Sequence, residues 1–85
     1  MVRYTIVLSK SAEKTLDKFS DNIANPLIKA ISDLETNPKP IGYKKLKGRE
    51  GFRIRIGNYR VIYHVFESEL IIDVITIGHR KDVYK

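Results

Sequence analysis

The chain has 85 residues, no cysteine, two histidines and a formal net charge of +6. A fold of this length buries only about 60% of the surface its unfolded chain exposes, so one small domain, 1–85, is expected, and a partner that completes its surface fits that size. Disulfides and thiolate metal sites are excluded, and with only His64 and His79 a His-rich zinc site is not expected.

The N-terminal stretch lacks the apolar run of a signal peptide, and no segment could span a bilayer, so a soluble cytoplasmic protein is expected with no membrane contact. The charge is unevenly placed. Residues 1–38 hold five basic and five acidic side chains, whereas 39–60 hold eight basic residues and one acid, Glu50. Such a segment suits a polyanionic partner such as nucleic acid or an acidic protein segment.

The first element, "VRYTIVLS", alternates Val2, Tyr4, Ile6 and Leu8 against Arg3, Thr5 and Val7, which predicts a strand with one buried face. "SKSAEKTLDKF" then offers a Ser cap and Ala12, Leu16 and Phe19 at helical spacing. Asp21 is the expected cap of a second helix, with Pro26 in or near its first turns. Ile23, Leu27, Ile28, Ile31 and Leu34 give that helix an apolar stripe, and Asn37–Pro40 ends it. A basic connection, 41–51, leads to three apolar runs at 52–57, 59–65 and 70–77. The expected fold is α+β, in the order β-α-α-β-β-β. A helical hairpin packs on one face of a four-stranded, mainly antiparallel sheet.

Gly57-Asn58 is a two-residue hairpin signal, and Gly at its first position suits a type II′ turn. That turn sets Ile56 opposite Tyr59, Arg55 opposite Arg60, Ile54 opposite Val61, Arg53 opposite Ile62 and Phe52 opposite Tyr63. Phe52, Ile54, Ile56, Tyr59, Val61 and Tyr63 then face the helices, and Arg53, Arg55, Arg60, Ile62 and His64 face away. A four-residue loop at 66–69 would place Asp73 beside Ile62, point Ile72 and Val74 into the core and put Ile75 in the row of Arg55 and Arg60. It would also deliver residues 78–85 to the arginine cluster, making His79, Arg80 and Tyr84 neighbours of Arg55 and Arg60. His64 suits packing better than chemistry.

Like charges directly opposite each other destabilise a sheet by a few tenths of a kcal/mol to about 1, so Arg55 against Arg60 has no stability rationale. Guanidinium groups bind phosphate bidentately and stabilise charge developing on phosphoryl oxygens. The sequence offers no carboxylate cluster for magnesium, and no cofactor is expected. RNA carries its own nucleophile, the 2′-hydroxyl, so an arginine cluster could promote transesterification to a 2′,3′-cyclic phosphate.

The element order, "KLKG" at 45–48, "FRIRIGNYRVIYHV" at 52–65 and "IGHRKDVYK" at 77–85 together resemble the RelE/ParE toxin superfamily, and within it the RelE-type toxins of type II toxin–antitoxin modules. The resemblance implies a ribosome-dependent mRNA endonuclease that cuts A-site codons. It implies catalytic roles for Arg55, Arg60, Arg80 and Tyr84, and RNA binding by Arg53. RelE itself has lysines where this chain has Arg53 and Arg55. Arginine stays protonated, so proton transfer falls to Tyr84 or His79, or the catalysis is electrostatic. Lys44, Lys45, Lys47, Arg49 and His79 complete the expected RNA-binding set. The implied partners are a cognate antitoxin, the ribosome with its mRNA and ribosomal RNA, and operator DNA only through the antitoxin complex. A ParE-like gyrase inhibitor and a non-enzymatic nucleic-acid-binding co-repressor are the alternatives.

Overall fold

The computed structural model describes residues 3–48 and 50–79. The elements are β1 (Thr5–Leu8), α1 (Lys10–Lys18), α2 (Asp21–Asp33), β2 (Lys44–Lys45), β3 (Phe52–Ile56), β4 (Tyr59–Phe66) and β5 (Ile71–His79). Among the described residues the sheet has five strands in the order β1-β5-β4-β3-β2. Its β1 edge runs parallel to β5, and the other pairings are antiparallel. The fold is α+β as expected. The additional strand is β2, two residues long and too short to leave a period in the sequence.

Ala12 of α1 and Leu27, Ile31 and Leu34 of α2 pack on Ile54, Val61, Tyr63, Ile72, Val74 and Ile77, forming the core between the helical hairpin and one sheet face. Within the expected α2 stripe, Ile28 is exposed and Ala24 is buried in its place, because α2 faces the sheet with a slightly rotated surface. Ser20, not Asp21, is the N-cap of α2. Asp21 is its first helical residue, where a carboxylate favours the positive end of the helix dipole. Pro26 lies one turn further in.

The β3–β4 register is the one the Gly57-Asn58 turn dictates, residue for residue. Gly57 has φ +61° and Asn58 does not share the left-handed region, which is the type II′ pattern. The β4–β5 hairpin differs from expectation. Phe66 pairs with Ile71, so the four-residue loop is 67–70 and ends at Leu70 with φ +56°. A leucine in that region carries a penalty of about 1 kcal/mol or more, and no glycine marks the position.

Moving the loop by one residue moves the register by two, which keeps each side chain on its face. Ile72 and Val74 are therefore buried as expected, but Asp73 lies beside His64 rather than Ile62. A bulge then intervenes, since Ile62 pairs with Thr76 and Tyr63 with Val74, leaving Ile75 as the extra residue. Ile75 is therefore not in the arginine row, and Ile77 turns into the core.

Ser9 ties this bulge to the helices. Its Oγ accepts a hydrogen bond from the Ala12 amide at 3.0 Å as the N-cap of α1, and donates to the Ile75 carbonyl at 2.7 Å. Its own amide donates to the Val74 carbonyl at 3.0 Å.

Two stability predictions follow from these contacts. Ser9→Ala removes a cap bond and a bulge bond together and is expected to destabilise the fold by about 2 kcal/mol in urea unfolding, with Ser9→Thr losing less. Tyr63 is fully buried, and burial foremost, with Tyr43 second, pushes its pKa from about 10 up to about 12. The folded state thus holds the phenolic proton more tightly than the unfolded chain. The resulting stabilisation is complete below pH 10 and is lost as pH rises towards 12. Tyr63→Phe is expected to flatten the fall of unfolding free energy across that window. Parallel curves for the two proteins would contradict this.

Candidate nucleic-acid interface

The sheet face away from the helices carries the basic site. β2 runs antiparallel to β3, so Lys44 lies opposite Arg53. One row therefore reads Lys44–Arg53–Ile62–Thr76, and the next reads Arg55–Arg60–Gly78. Residues two apart on a strand are about 7 Å apart, so two like-charged cross-strand pairs occupy adjacent rows, offset by one strand and joined through Arg53 and Arg55 on β3. Neither row contains a carboxylate among the described residues. Asp73, expected in the row of Arg53, is a row further away beside His64 and Val7.

Burial across the site is graded. Arg55 is exposed and Arg53 is half-buried, whereas Arg60 is only 6% exposed and Ile62 only 2%. A row that ends in Gly78 carries no side chain on β5, so no bulk rises beside Arg60 at that position. Lys45 pairs with Phe52 and is exposed, as is Lys47 in the turn beyond it. Lys39, in the same basic segment, lies over the Phe52 ring at 5.6 Å from its centroid.

The expected site residues therefore divide. Lys44, Arg53, Arg55 and Arg60 come together on one face, whereas Lys45, opposite the core-facing Phe52, points to the other side and Lys47 is exposed in the turn beyond β2. His79 does not join them. The bulge turns it to the helix side, where it pairs with Tyr59 and packs edge-on against that ring at 5.7 Å. Phe19 completes this stack, 4.9 Å from Tyr59, and the groove there has a volume of about 420 Å³. His64 has the packing role anticipated for it, with Nε2 3.1 Å from the Glu50 carbonyl. Arg49, Arg80 and Tyr84 lie outside the described residues. Among the described residues no group of three His, Asp or Glu side chains could hold a metal ion. No described helix is long and apolar enough to cross a membrane.

Two features escaped sequence reading. The pairing of Lys44 with Arg53 rests on a two-residue strand that alternation cannot reveal. The Tyr63 hydroxyl donates to the Pro38 carbonyl at 2.7 Å, and the available signal was a tyrosine at a core-facing position, whose hydroxyl needs a partner.

The domain is a helical hairpin on one face of a mixed sheet, with paired cations on the opposite face. Its family is settled by likeness over nearly the whole chain. Residues 6–84 match the family model described as the ParE toxin of a type II toxin–antitoxin system. A protein of Methanocaldococcus jannaschii named RelE1 is 32% identical over 88 residues, covering 99% of this chain and 98% of that one. The toxin RelG of Mycobacterium tuberculosis is 26% identical over 84 residues, covering 96% and 97%. The solved archaeal RelE–RelB complex of Pyrococcus horikoshii superposes with a TM-score of 0.83 at 26% identity, over 96% of this chain and 99% of that one. The chain belongs to the RelE/ParE family of toxins of type II toxin–antitoxin systems.

The facing cations have a measurable consequence. Arg55→Glu replaces a repulsive cross-strand pair by an attractive one at an exposed position. It is expected to raise stability in urea unfolding by a few tenths of a kcal/mol to about 1. Equal or lower stability would show that Arg55 and Arg60 do not repel each other across the strands.

Proposed function

We propose that this toxin is a ribosome-dependent mRNA endoribonuclease that cleaves codons in the ribosomal A site. The observation that carries this reading is the two like-charged cross-strand pairs in adjacent rows, Lys44–Arg53 and Arg55–Arg60. Such an arrangement costs stability and suits a polyanion whose charge increases during reaction. The match to relatives named as RelE toxins supports the same reading.

In this mechanism the 2′-oxygen attacks the adjacent phosphorus and the bond from phosphorus to the 5′-oxygen breaks, leaving a 2′,3′-cyclic phosphate and a 5′-hydroxyl. One proton leaves the 2′-hydroxyl and one reaches the departing 5′-oxygen. Arg55 and Arg60 stabilise the charge on the phosphoryl oxygens. Arg53, with Lys44 and Lys47, holds the backbone, and Lys45 and Arg49 are assigned to the same RNA-binding set. Arg80 adds a further cation, and Tyr84 is the candidate for proton transfer. His79, on the helix side in the structure, is not assigned to the reacting phosphate.

The cognate partner proposed is an antitoxin, in keeping with the family's description as toxins of type II toxin–antitoxin systems and with the pairing of RelE and RelB in the Pyrococcus complex. The complex of the two, rather than the toxin alone, would contact operator DNA. A substrate on translating ribosomes places the active toxin in the cytoplasm. The family description as ParE favours gyrase inhibition as the second reading.

Primer extension on a defined mRNA in a reconstituted translation reaction tests the proposal. Cuts confined to translated codons are expected, and Arg55→Ala is expected to slow them about 100-fold or more, the scale of removing one charge-stabilising donor. An uncut message with translation intact would defeat the proposal and turn attention to DNA supercoiling by gyrase.

A further inference from the structure

The connection between α2 and β3 covers residues 34–51, and its basic part, residues 38–51, is long enough that a loop of its kind would ordinarily be mobile. Here both of its ends are fastened by one dipeptide. Tyr63 and His64 are consecutive on β4, so their side chains leave on opposite faces of the sheet. Tyr63 points to the helix side and its hydroxyl donates to the Pro38 carbonyl at 2.7 Å, where the basic part begins. His64 points to the arginine side and its Nε2 lies 3.1 Å from the Glu50 carbonyl, where the connection ends.

Each fastening has support. At the start, the Tyr43 ring packs edge-on against Phe52 at 5.7 Å, and Phe52 leans on Tyr63 at 6.0 Å. At the end, the Leu46 amide donates to the Gly51 carbonyl at 3.0 Å. Gly51 has φ +118°, and a Cβ there would come within 2.8 Å of His64 Cδ2, so the imidazole lies directly on the glycine backbone. Between these two points β2 pairs with β3 and presents Lys44 in the row of Arg53.

We infer that Tyr63 and His64 are positioning residues that hold the connection as a preformed rail for an RNA phosphate backbone. Neither is a lysine or an arginine. Both fix where Lys44 and the nearby Lys47 stand relative to Arg53 and Arg55, so the ordering cost of that segment is met in folding and not on binding. RNA is favoured over an acidic peptide as the occupant. The cations form paired rows on a strand surface with few apolar anchors between them, which suits a repeating phosphate chain better than a peptide that must also bury side chains. This inference rests on the reading of the strip as an RNA-binding surface.

The test is fluorescence anisotropy with a labelled, unstructured RNA oligonucleotide across a salt series, at a temperature where thermal melting shows each variant folded. Tyr63→Phe and His64→Ala are each expected to weaken binding about three- to tenfold, the yield of one hydrogen bond, with the log–log salt slope unchanged because no cation is lost. His64→Gln, which can still donate to the Glu50 carbonyl, is expected to bind like the parent. Lys44→Ala is expected to weaken binding and reduce the slope by about 0.7. Hydrogen exchange at the Leu46 amide is expected to accelerate in His64→Ala and recover in His64→Gln.

If Lys44→Ala behaves as stated while Tyr63→Phe and His64→Ala bind as the parent does, the strip binds RNA but the fastening does not position it, and the inference is overturned. If Lys44→Ala and Lys47→Ala leave binding unchanged, the RNA reading of the strip itself fails. Tighter capture of an acidic peptide than of the oligonucleotide, with the same dependence on Tyr63 and His64, would replace RNA by protein as the occupant.

Discussion

The hydroxyl of Ser9 fixes where the second half of β5 points. It caps α1 through the Ala12 amide and holds the Ile75 carbonyl, the extra residue of the bulge. Without that extra residue the β4–β5 register would continue unbroken, and Ile77 would fall opposite Arg60 on the arginine face. Gly78 and His79 would each move to the opposite side. The bulge places Ile77 in the core and leaves Gly78, which has no side chain, beside Arg60. One local irregularity, anchored by a helix cap, thus closes the hydrophobic layer and clears space at the cationic row.

Legibility of the fold in the sequence followed the strength of each local rule. A two-residue turn with glycine at its first position leaves little freedom, so the β3–β4 register and the facing of Arg55 and Arg60 could be read directly. The β4–β5 turn is built on Leu70 in a left-handed conformation that leucine seldom adopts, and tertiary packing overrides the local preference. Nothing in "FESEL" marks that position. The bulge was equally hidden, because Ile72, Val74, Ile75 and Ile77 are all apolar and any of them could face the core. Faces survived these errors because a two-residue slip preserves alternation, whereas neighbours such as Asp73 did not.

The basic site shows the same division. Its arginines were legible because they break a rule that sheets otherwise keep. Lys44 was recognised as basic but not as a member of the sheet, since a two-residue strand is defined by its partner and not by its own pattern. His79 was misplaced for a different reason: its position depends on every residue between it and the last fixed pairing, and one bulge reverses it. Sequence reading therefore recovered charges close to the Gly57-Asn58 turn and lost accuracy with distance from it.

Stability and the proposed function pull in opposite directions on this sheet. A single hydrophobic layer in a domain of this size leaves a margin of only a few kcal/mol. Facing cations subtract from that margin in two adjacent rows. Contacts elsewhere offset the loss: the Ser9 cap, the Tyr63 bond to Pro38 and the imidazole seated on Gly51 each satisfy polar groups without adding charge. Their positions are informative. All three lie where a chain segment changes direction next to the cationic face or its supports, so the bonds that restore stability also limit how far the cations can move. A surface meant only for solubility would need neither the opposed cations nor the bonds that hold them in place.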